Sequence, residues 1–269
     1  VEFFIDEKIL AEPLKRKKPA RIFVGDMFDL FHEAIPQELI AEVLRVAWKL
    51  PRHTFQILTK RAERMQRMVA GMYGKWGDPG EQPRDNIWLG VSVESQKYAD
   101  ERIPLLLQTP AAVRFLSVEP QLEAVNLVSI DGGGGYFFNC LTDRVPFGHY
   151  EYKTGIDWVI CGGESGPGAR PMHPGWPRSL RDQCAAANIP FFFKQWGEWQ
   201  PHQYPPDPNA DYHGGLFLLP NGQLGNQGDW WSGRAHAMDR VGKKNAGALL
   251  DGREWREFPQ PSQKEAVSA

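Results

Sequence analysis

A chain of 269 residues that is 42% hydrophobic and 24% charged carries enough apolar material for a large buried core, which excludes a disordered or low-complexity protein. Its net charge of −2 excludes a global electrostatic pull toward nucleic acid or an anionic membrane surface. Three widely separated cysteines, Cys140, Cys161 and Cys184, argue against a disulfide framework and fit a reducing, cytoplasmic setting, and no apolar run approaches the roughly 18 residues needed to cross a bilayer.

The chain begins at Val1 rather than Met, so a processed, trimmed or fragmentary form is expected. Lys15, Arg16, Lys17 and Lys18, with Arg21 close by, read as a solvated basic loop. A first apolar run, 21–26, is followed by a predicted helix over 36–50, where Leu39, Ile40, Val43, Leu44, Ala47 and Leu50 recur at helical spacing. Pro36 is tolerated in that helix's first turn. Run 55–60 leads into a helix over 61–72, whose Met65, Met68, Val69 and Met72 share one face as core filler. A Gly/Pro-rich loop is expected over 74–83, then run 87–94 and a helix over 95–107, with Pro104 as a point of interruption. Run 113–119 follows. Asp131, four glycines at 132–135, Tyr136-Phe137-Phe138 and Tyr150-Glu151-Tyr152 then predict a glycine-hinged β-hairpin inserted at about 128–153, a candidate lid. Run 158–164, a helix over 178–188 and run 191–195 complete the alternation. Beyond Trp199 the pattern degrades into an irregular extension, 200–269. It holds a strand candidate at 216–219, packing groups Trp230 and Trp231, a short helical run from 240–244 to Leu250, and a disordered last eight or so residues.

Near-continuous apolar runs alternating with helices imply a parallel sheet covered on both faces. The expected fold class is therefore α/β, a partial (β/α) barrel over 1–199 carrying the hairpin insertion. Ligands in such folds sit beyond the carboxyl ends of the strands. Those ends carry Asp26, Lys60, Glu94, Glu119, Glu164 and Lys194, a polar rim with the character of an active site.

Each part of the rim has a chemical and a plainer reading. Asp26, Asp29, His32 and Glu33 could bind a metal or do acid–base work, or could cap a turn and face solvent. Thr59 is placed to cap a helix whose first N–H groups, with Lys60 or Arg61, would attract an anion; the alternative is two solvated cations. Ser92 and Glu94 alternate with Val91 and Val93, and Ser117 and Glu119 flank Val118, so both pairs point to the same side of the sheet. Interior carboxylates on adjacent strands need a cation, an ion-pair partner such as Lys60, Lys194 or Arg114, or a polar ligand. Gly162-Gly163-Glu164-Ser165-Gly166 would let backbone approach a ligand closely, or would be a tight turn with a solvated Glu164. It is neither a dinucleotide fingerprint, a phosphate loop nor a nucleophile elbow. Arg170 and His173 could cover the site, and Trp196, beside Lys194 and Gln195, could stack on a flat ring.

Seven strings carry a resemblance: RIFVGDMFDLFH (21–32), HTFQILTKR (53–61), LGVSVE (89–94), LSVEP (116–120), CGGESGPGARP (161–171), FKQWG (193–197) and RVGKK (240–244). Together they resemble the phage and prophage family called bacteriophage gene product 37 or gene product 68, across nearly the whole chain. That resemblance implies a radical S-adenosylmethionine-like enzyme with a partial barrel, in which three cysteines after the first strand hold a [4Fe–4S] cluster. The amino-terminal three-cysteine segment is absent here, and Cys140, Cys161 and Cys184 are 21 and 23 residues apart, so no cluster is expected on this chain alone. The resemblance further implies S-adenosylmethionine as cofactor. Ser92, Glu94, Ser117, Glu119, Gly162, Gly163 and Glu164 become its candidate binding residues, with Glu164 toward its amino group or ribose. Asp26, Asp29, His32, Lys60 and Lys194 become the catalytic candidates. A small-molecule or nucleotide substrate is open; nucleic acid is supported by neither charge nor motif. Two alternatives stand beside this reading: a cluster-independent metal or acid–base barrel enzyme, and a non-catalytic phage binding module.

Overall fold

The computed structural model describes residues 6–26, 28–76, 83–142, 155–203, 212 and 215–259, with the side chains of 73–76 left aside. Two single-turn helices, α1 (Glu7–Leu10) and α2 (Glu12–Lys15), precede the alternation. It runs β1 (Arg21–Val24), α3 (Gln37–Lys49), β2 (Thr54–Thr59), α4 (Ala62–Trp76), β3 (Ile87–Ser92), α5 (Gln96–Leu107) and β4 (Val113–Val118). A two-residue pair, β5 (Ile130–Asp131) and β6 (Phe137–Phe138), separates these from β7 (Trp158–Gly162), α6 (Gly175–Ala186) and β8 (Phe191–Gln195).

The six long strands form a single sheet in the order β1-β2-β3-β4-β7-β8, and every neighbouring pair is parallel. The order follows the sequence without reversal, so the sheet curls into a half-barrel and has no switch point of the doubly wound kind. Strand parity sorts the side chains. Ile57, Leu89, Val91, Leu116, Val118, Val159 and Phe193 are fully buried on the convex side against Leu44, Met65, Ile103, Leu106 and Leu180 of the helices. Each such side chain contributes roughly 1.5–3 kcal/mol by leaving water. On the concave side, Trp88, Phe115 and Trp158 form a separate aromatic cluster with Phe192 and Phe258. Gly90 makes room for it, because a Cβ there would stand 2.5 Å from the Phe115 ring.

Several boundaries differ from expectation. Helix α5 runs through Pro104 without a break; Ala99, Ile103, Leu106 and Leu107 bury its inner face, which outweighs one missing hydrogen bond. Helix α6 starts at Gly175 and takes Pro177 into its first turn, where proline is at home. Helix α4 extends to Trp76, into the expected 74–83 loop, of which 77–82 lie outside the described residues.

The hairpin insertion is short. Gly133, Gly134 and Gly135, all at positive φ, turn β5 back antiparallel to β6. Asp131 N–H donates to Asp100 Oδ1 of α5 (3.1 Å), and Phe138 and Ile130 are buried in the main core. The described hairpin therefore packs on a helix of the outer layer, and none of its described residues lines the concave cavity, so this part of the insertion lends the lid expectation no support. Residues 143–154, with Tyr150-Glu151-Tyr152, lie outside the described residues.

The carboxyl-terminal extension is more regular than its composition implies. Strands β9 (Trp199–Pro201), β10 (Gly215–Leu218) and β11 (His236–Arg240) form an antiparallel sheet in the order β10-β11-β9, with helix α7 (Gln227–Trp231) closed by an Asn226/Asp229 capping box. The abundant Gly, Pro and Asn mark turns between short strands, and β9 crosses the expected boundary at 199/200. Trp230 is buried and Trp231 partly exposed. The helical run expected up to Leu250 is one turn, α8 (Lys243–Ala246), followed by a hairpin of β12 (Leu249–Leu250) and β13 (Arg253–Glu254). The tail then lies antiparallel along the free edge of β8: Phe193 N–H donates to Trp255 O (2.9 Å) and Trp158 Nε1 to Glu257 O (2.9 Å). An exposed sheet edge is thereby covered. The final residues, 260–269, lie outside the described residues. Among the described residues no helix is long and apolar enough to cross a membrane.

Candidate functional site

A cavity of about 1110 Å³ occupies the concave face of the half-barrel. Its floor is aromatic: Trp158 meets Phe115, Phe192 and Phe258 at ring-centroid distances of 5.8, 6.0 and 5.0 Å. Arg21 lies over the Phe258 ring (3.9 Å) and Arg256 over Phe192 (4.7 Å), so cations flank the floor. Phe23 and Phe28 are exposed where they line it. At the carboxyl ends of the strands the lining turns polar, with Ser92, Ser117, Thr59, Lys60, Asp26, Asp29, Glu119 and Lys194. Among the described lining residues, Lys60, Arg61 and Lys194 are already paired with Glu94, Asp29 and Glu119, and Arg21 and Arg256 stack on aromatic rings of the floor.

The three rim glutamates have different fates. Glu119 lines the cavity, paired with Lys194 Nζ (2.9 Å) and accepting from Gln195 Nε2 (3.3 Å). Gly162 leaves room for it: a Cβ there would stand 3.1 Å from Glu119 Oε1. Glu94 is buried behind the rim between Arg102 Nη1 (3.0 Å) and the Lys60 ammonium and does not line the cavity. Glu164 also lies outside the lining. Arg170 grips it with Nε and Nη2, both at 2.8 Å, and with its backbone N–H, also at 2.8 Å. These bonds from Arg170 hold the Glu164 carboxyl below the usual carboxylate range.

The amino-terminal candidates divide in the same way. Asp26 lines the cavity. Asp29 lines it too, but its oxygens accept from Thr59 Oγ1 (2.6 Å), Phe31 N–H (3.0 Å), Lys60 N–H (2.9 Å) and Arg61 Nη1 (3.1 Å). The anion attracted to the start of α4 is thus this protein's own carboxylate, and Thr59 also accepts from Arg61 N–H (2.9 Å). His32 is exposed, accepts from Ala34 N–H (3.2 Å) and sits 3.9 Å from Glu33. It is not in the cavity lining.

The glycines at the end of β7 serve a neighbouring strand. A Cβ on Gly163 would stand 1.9 Å from Trp196 O, and one on Gly197 2.0 Å from Glu164 O. The segments after β7 and β8 cross at backbone contact, with Gly163 N–H donating to Gln195 O (2.9 Å) and Glu198 N–H to Glu164 O (2.9 Å). Trp196 is buried in the main core, edge-on to Phe193 (5.0 Å) with Nε1 bonded to Leu249 O (2.8 Å), and offers no stacking face to the cavity.

His173 is buried beside His236 (4.8 Å between ring centroids). Its Nδ1 accepts from Gly175 N–H (3.0 Å), while its Nε2 has no hydrogen-bond partner among the described residues. Burial first, then His236 and Arg178, pushes its pKa from 6.5 down to about 4. Between those values the unfolded chain takes up a proton that the folded chain refuses. The stability from keeping His173 neutral is therefore complete above pH 6.5 and lost as pH falls toward 4, a loss of roughly 3 kcal/mol. Urea unfolding across pH 7 to 4 should show a steeper decline for the wild type than for His173→Phe; parallel curves would refute this.

None of the three cysteines lines the cavity. Cys161 and Cys184 are buried between sheet and helix, where burial raises the Cys161 thiol well above its ordinary range and the Cys184 thiol to about 12. Cys140, within the insertion, is buried in the main core. Cluster ligation needs thiolates converging on one point. Among the described residues no group of three or more His, Cys, Asp or Glu side chains is placed to hold a metal ion.

Sequence reasoning missed Arg21, Phe23, Gln56, Phe115, Trp158 and Phe192 as cavity residues, although strand parity aligns Phe115 with Ser117 and Glu119 and Phe192 with Lys194. Arg256 and Phe258, from the tail, carry no such signal.

Fold and site define an α/β half-barrel protein with a ligand-sized cavity, aromatic below and charged above. The chain belongs to the family described as Protein of unknown function (DUF5131), whose model matches residues 2–259. No curated protein and no solved structure matches it.

Proposed function

We propose that this chain is the barrel body of a radical S-adenosylmethionine-like enzyme whose cavity takes a nucleoside-type ligand. The observation that carries the reading is the aromatic floor lying directly beneath a rim of hydroxyls and charges. A flat heterocycle gains from ring contacts below, and ribose and amino acid groups need hydrogen bonds above. S-adenosylmethionine, the cofactor the resemblance implies, supplies an adenosyl group on a sulfonium. Phe115, Trp158 and Phe192 would take its ring, Ser92 and Ser117 its hydroxyls, Glu119 its amino group, and Lys60 or Lys194 its carboxylate. The proposal covers this barrel site and not a cluster. A second reading, a cluster-independent acid–base enzyme, is favoured by the Glu119–Lys194 pair on the cavity wall.

Calorimetric titration with S-adenosylmethionine, S-adenosylhomocysteine and adenosine tests the proposal. At least one adenosyl compound should bind. Glu119→Gln should weaken binding of the amino acid-bearing ligands roughly tenfold or more, the worth of a hydrogen bond to a charged group. Glu164→Ala should leave it within about twofold, since Glu164 faces Arg170. Absence of binding by every adenosyl compound, or equal losses in the two variants, would sink it.

A further inference from the structure

We infer that Lys194, Lys243 and Lys244 form an anion subsite, contiguous with the cavity, that takes a phosphate group of the substrate. The inference rests on the nucleoside reading of the cavity and extends it to the class of substrate. Lys194 is the hinge between the two places. It lines the large cavity and also a shallower pocket of about 440 Å³, whose other walls are Gln195, Lys243, Lys244, Gly247 and Ala248. Among the described residues no carboxylate lines this second pocket. Lys243 and Lys244 are exposed, and neither has an ion pair among the described residues.

These lysines stand on a rigid mount. Val241 and Gly242 N–H groups both donate to Glu198 O (3.0 and 3.1 Å), Trp196 N–H donates to Gly247 O (3.1 Å), and Asn245 Nδ2 donates to Val241 O (2.9 Å). Gly242 and Gly247 take positive φ at either end of the turn, and Ala246 is buried in the main core. The loop thereby fixes the backbone that carries the two lysines beside the end of β8. Glu119 pairs with Lys194 from the cavity side, and Glu198, whose Oε1 is bonded to Gly166 N–H (3.1 Å), stays out of the lining. Clustered ammonium groups repel one another until an anion arrives, and a phosphate offers each a charge-assisted hydrogen bond. A cavity of about 1110 Å³ has room for a second ligand beside the adenosyl group, and because Lys194 lines both places, a substrate seated there would lead its phosphate outward past Lys194. The chemistry recognised is a phosphorylated nucleoside, either a free nucleotide or one unit of a single strand.

The test compares adenosine, ADP, pyrophosphate and a six-nucleotide single strand, each titrated into the wild type and into the Lys243→Gln/Lys244→Gln variant, whose changes are on the surface. The expected result is ADP binding at least tenfold tighter than adenosine in the wild type. The variant should lose that preference while its adenosine affinity stays within twofold. Preference retained in the variant, or absent from the wild type, overturns the subsite. Pyrophosphate binding that the variant loses, without adenosine binding, upholds the subsite and rejects the nucleoside reading. No binding of any probe rejects both. If the strand binds more tightly than ADP and loses more in the variant, the phosphate belongs to a polynucleotide; the reverse order assigns it to a free nucleotide.

Discussion

Glu94→Ala should destabilise the protein by about 3–5 kcal/mol, the cost of leaving a buried charge without its partner. The Glu94 and Arg102 side chains are 6% and 8% exposed, and Arg102 Nη1 reaches Glu94 Oε2 (3.0 Å) and Ser92 O (2.9 Å). Arg102 Nε already lacks a hydrogen-bond partner, so the guanidinium has little else to turn to, and it cannot lose its proton. Its contact with the Tyr98 ring (4.1 Å) offsets only part of the loss. Lys60, by contrast, is half exposed and returns to water at small cost, so Lys60→Met should change stability by less than about 1 kcal/mol. Replacing both buried partners, Glu94→Leu with Arg102→Met, should recover most of the loss. Urea unfolding measures all four proteins. A Glu94→Ala protein as stable as the wild type but weaker toward adenosyl ligands would make Glu94 a ligand residue, and the ion-pair account would fail.

Gly163→Ala should be among the most damaging small changes at the described glycines, costing about 3 kcal/mol or more, at or beyond the upper range for overpacking. The added methyl would fall 1.9 Å from Trp196 O, and neither backbone can yield cheaply because Gly163 N–H is bonded to Gln195 O (2.9 Å). Gly168→Ala is the control. Nothing lies within 4 Å of its Cβ position, so the change should be neutral or slightly stabilising through the unfolded chain. Thermal melts of the two variants separate the explanations. Normal folding of Gly163→Ala with a selective loss of ligand binding would show that the glycine is kept for a ligand and not for the neighbouring strand.

The strands and most helices were legible because burial imposes a period on each element separately. Alternation around Val91, Val93 and Val118 placed Ser92, Glu94, Ser117 and Glu119 on one side of the sheet; Ser92, Ser117 and Glu119 line the cavity, whereas Glu94 lies buried behind the rim with Arg102. The same parity, carried one step further down the strands, reaches Phe115, Trp158 and Phe192; attention to charged rim residues alone left that floor unseen. From β9 onward only the strand candidate at 216–219 was legible, one residue out of register with β10, and the rest was hidden for a different reason. Strands of two to five residues between turns are too short for a period to emerge.

The sequence by itself determined the half-barrel's alternation, the direction its side chains face, and the collection of charged groups at the strand ends. Only the tertiary structure decided which of those charges are already spent. Asp29 is satisfied by Thr59, Lys60 and Arg61, some thirty residues away; Glu94 is closed off by Arg102, and Glu164 by Arg170. Glu119 remains on the cavity wall, paired with a lysine 75 residues distant, and the tail brings Arg256 and Phe258 to the same cavity. The physical reason is that periodicity reports the faces of one element at a time. The free energy of a buried charge depends on which partner reaches it in space, and the chain's path alone settles that.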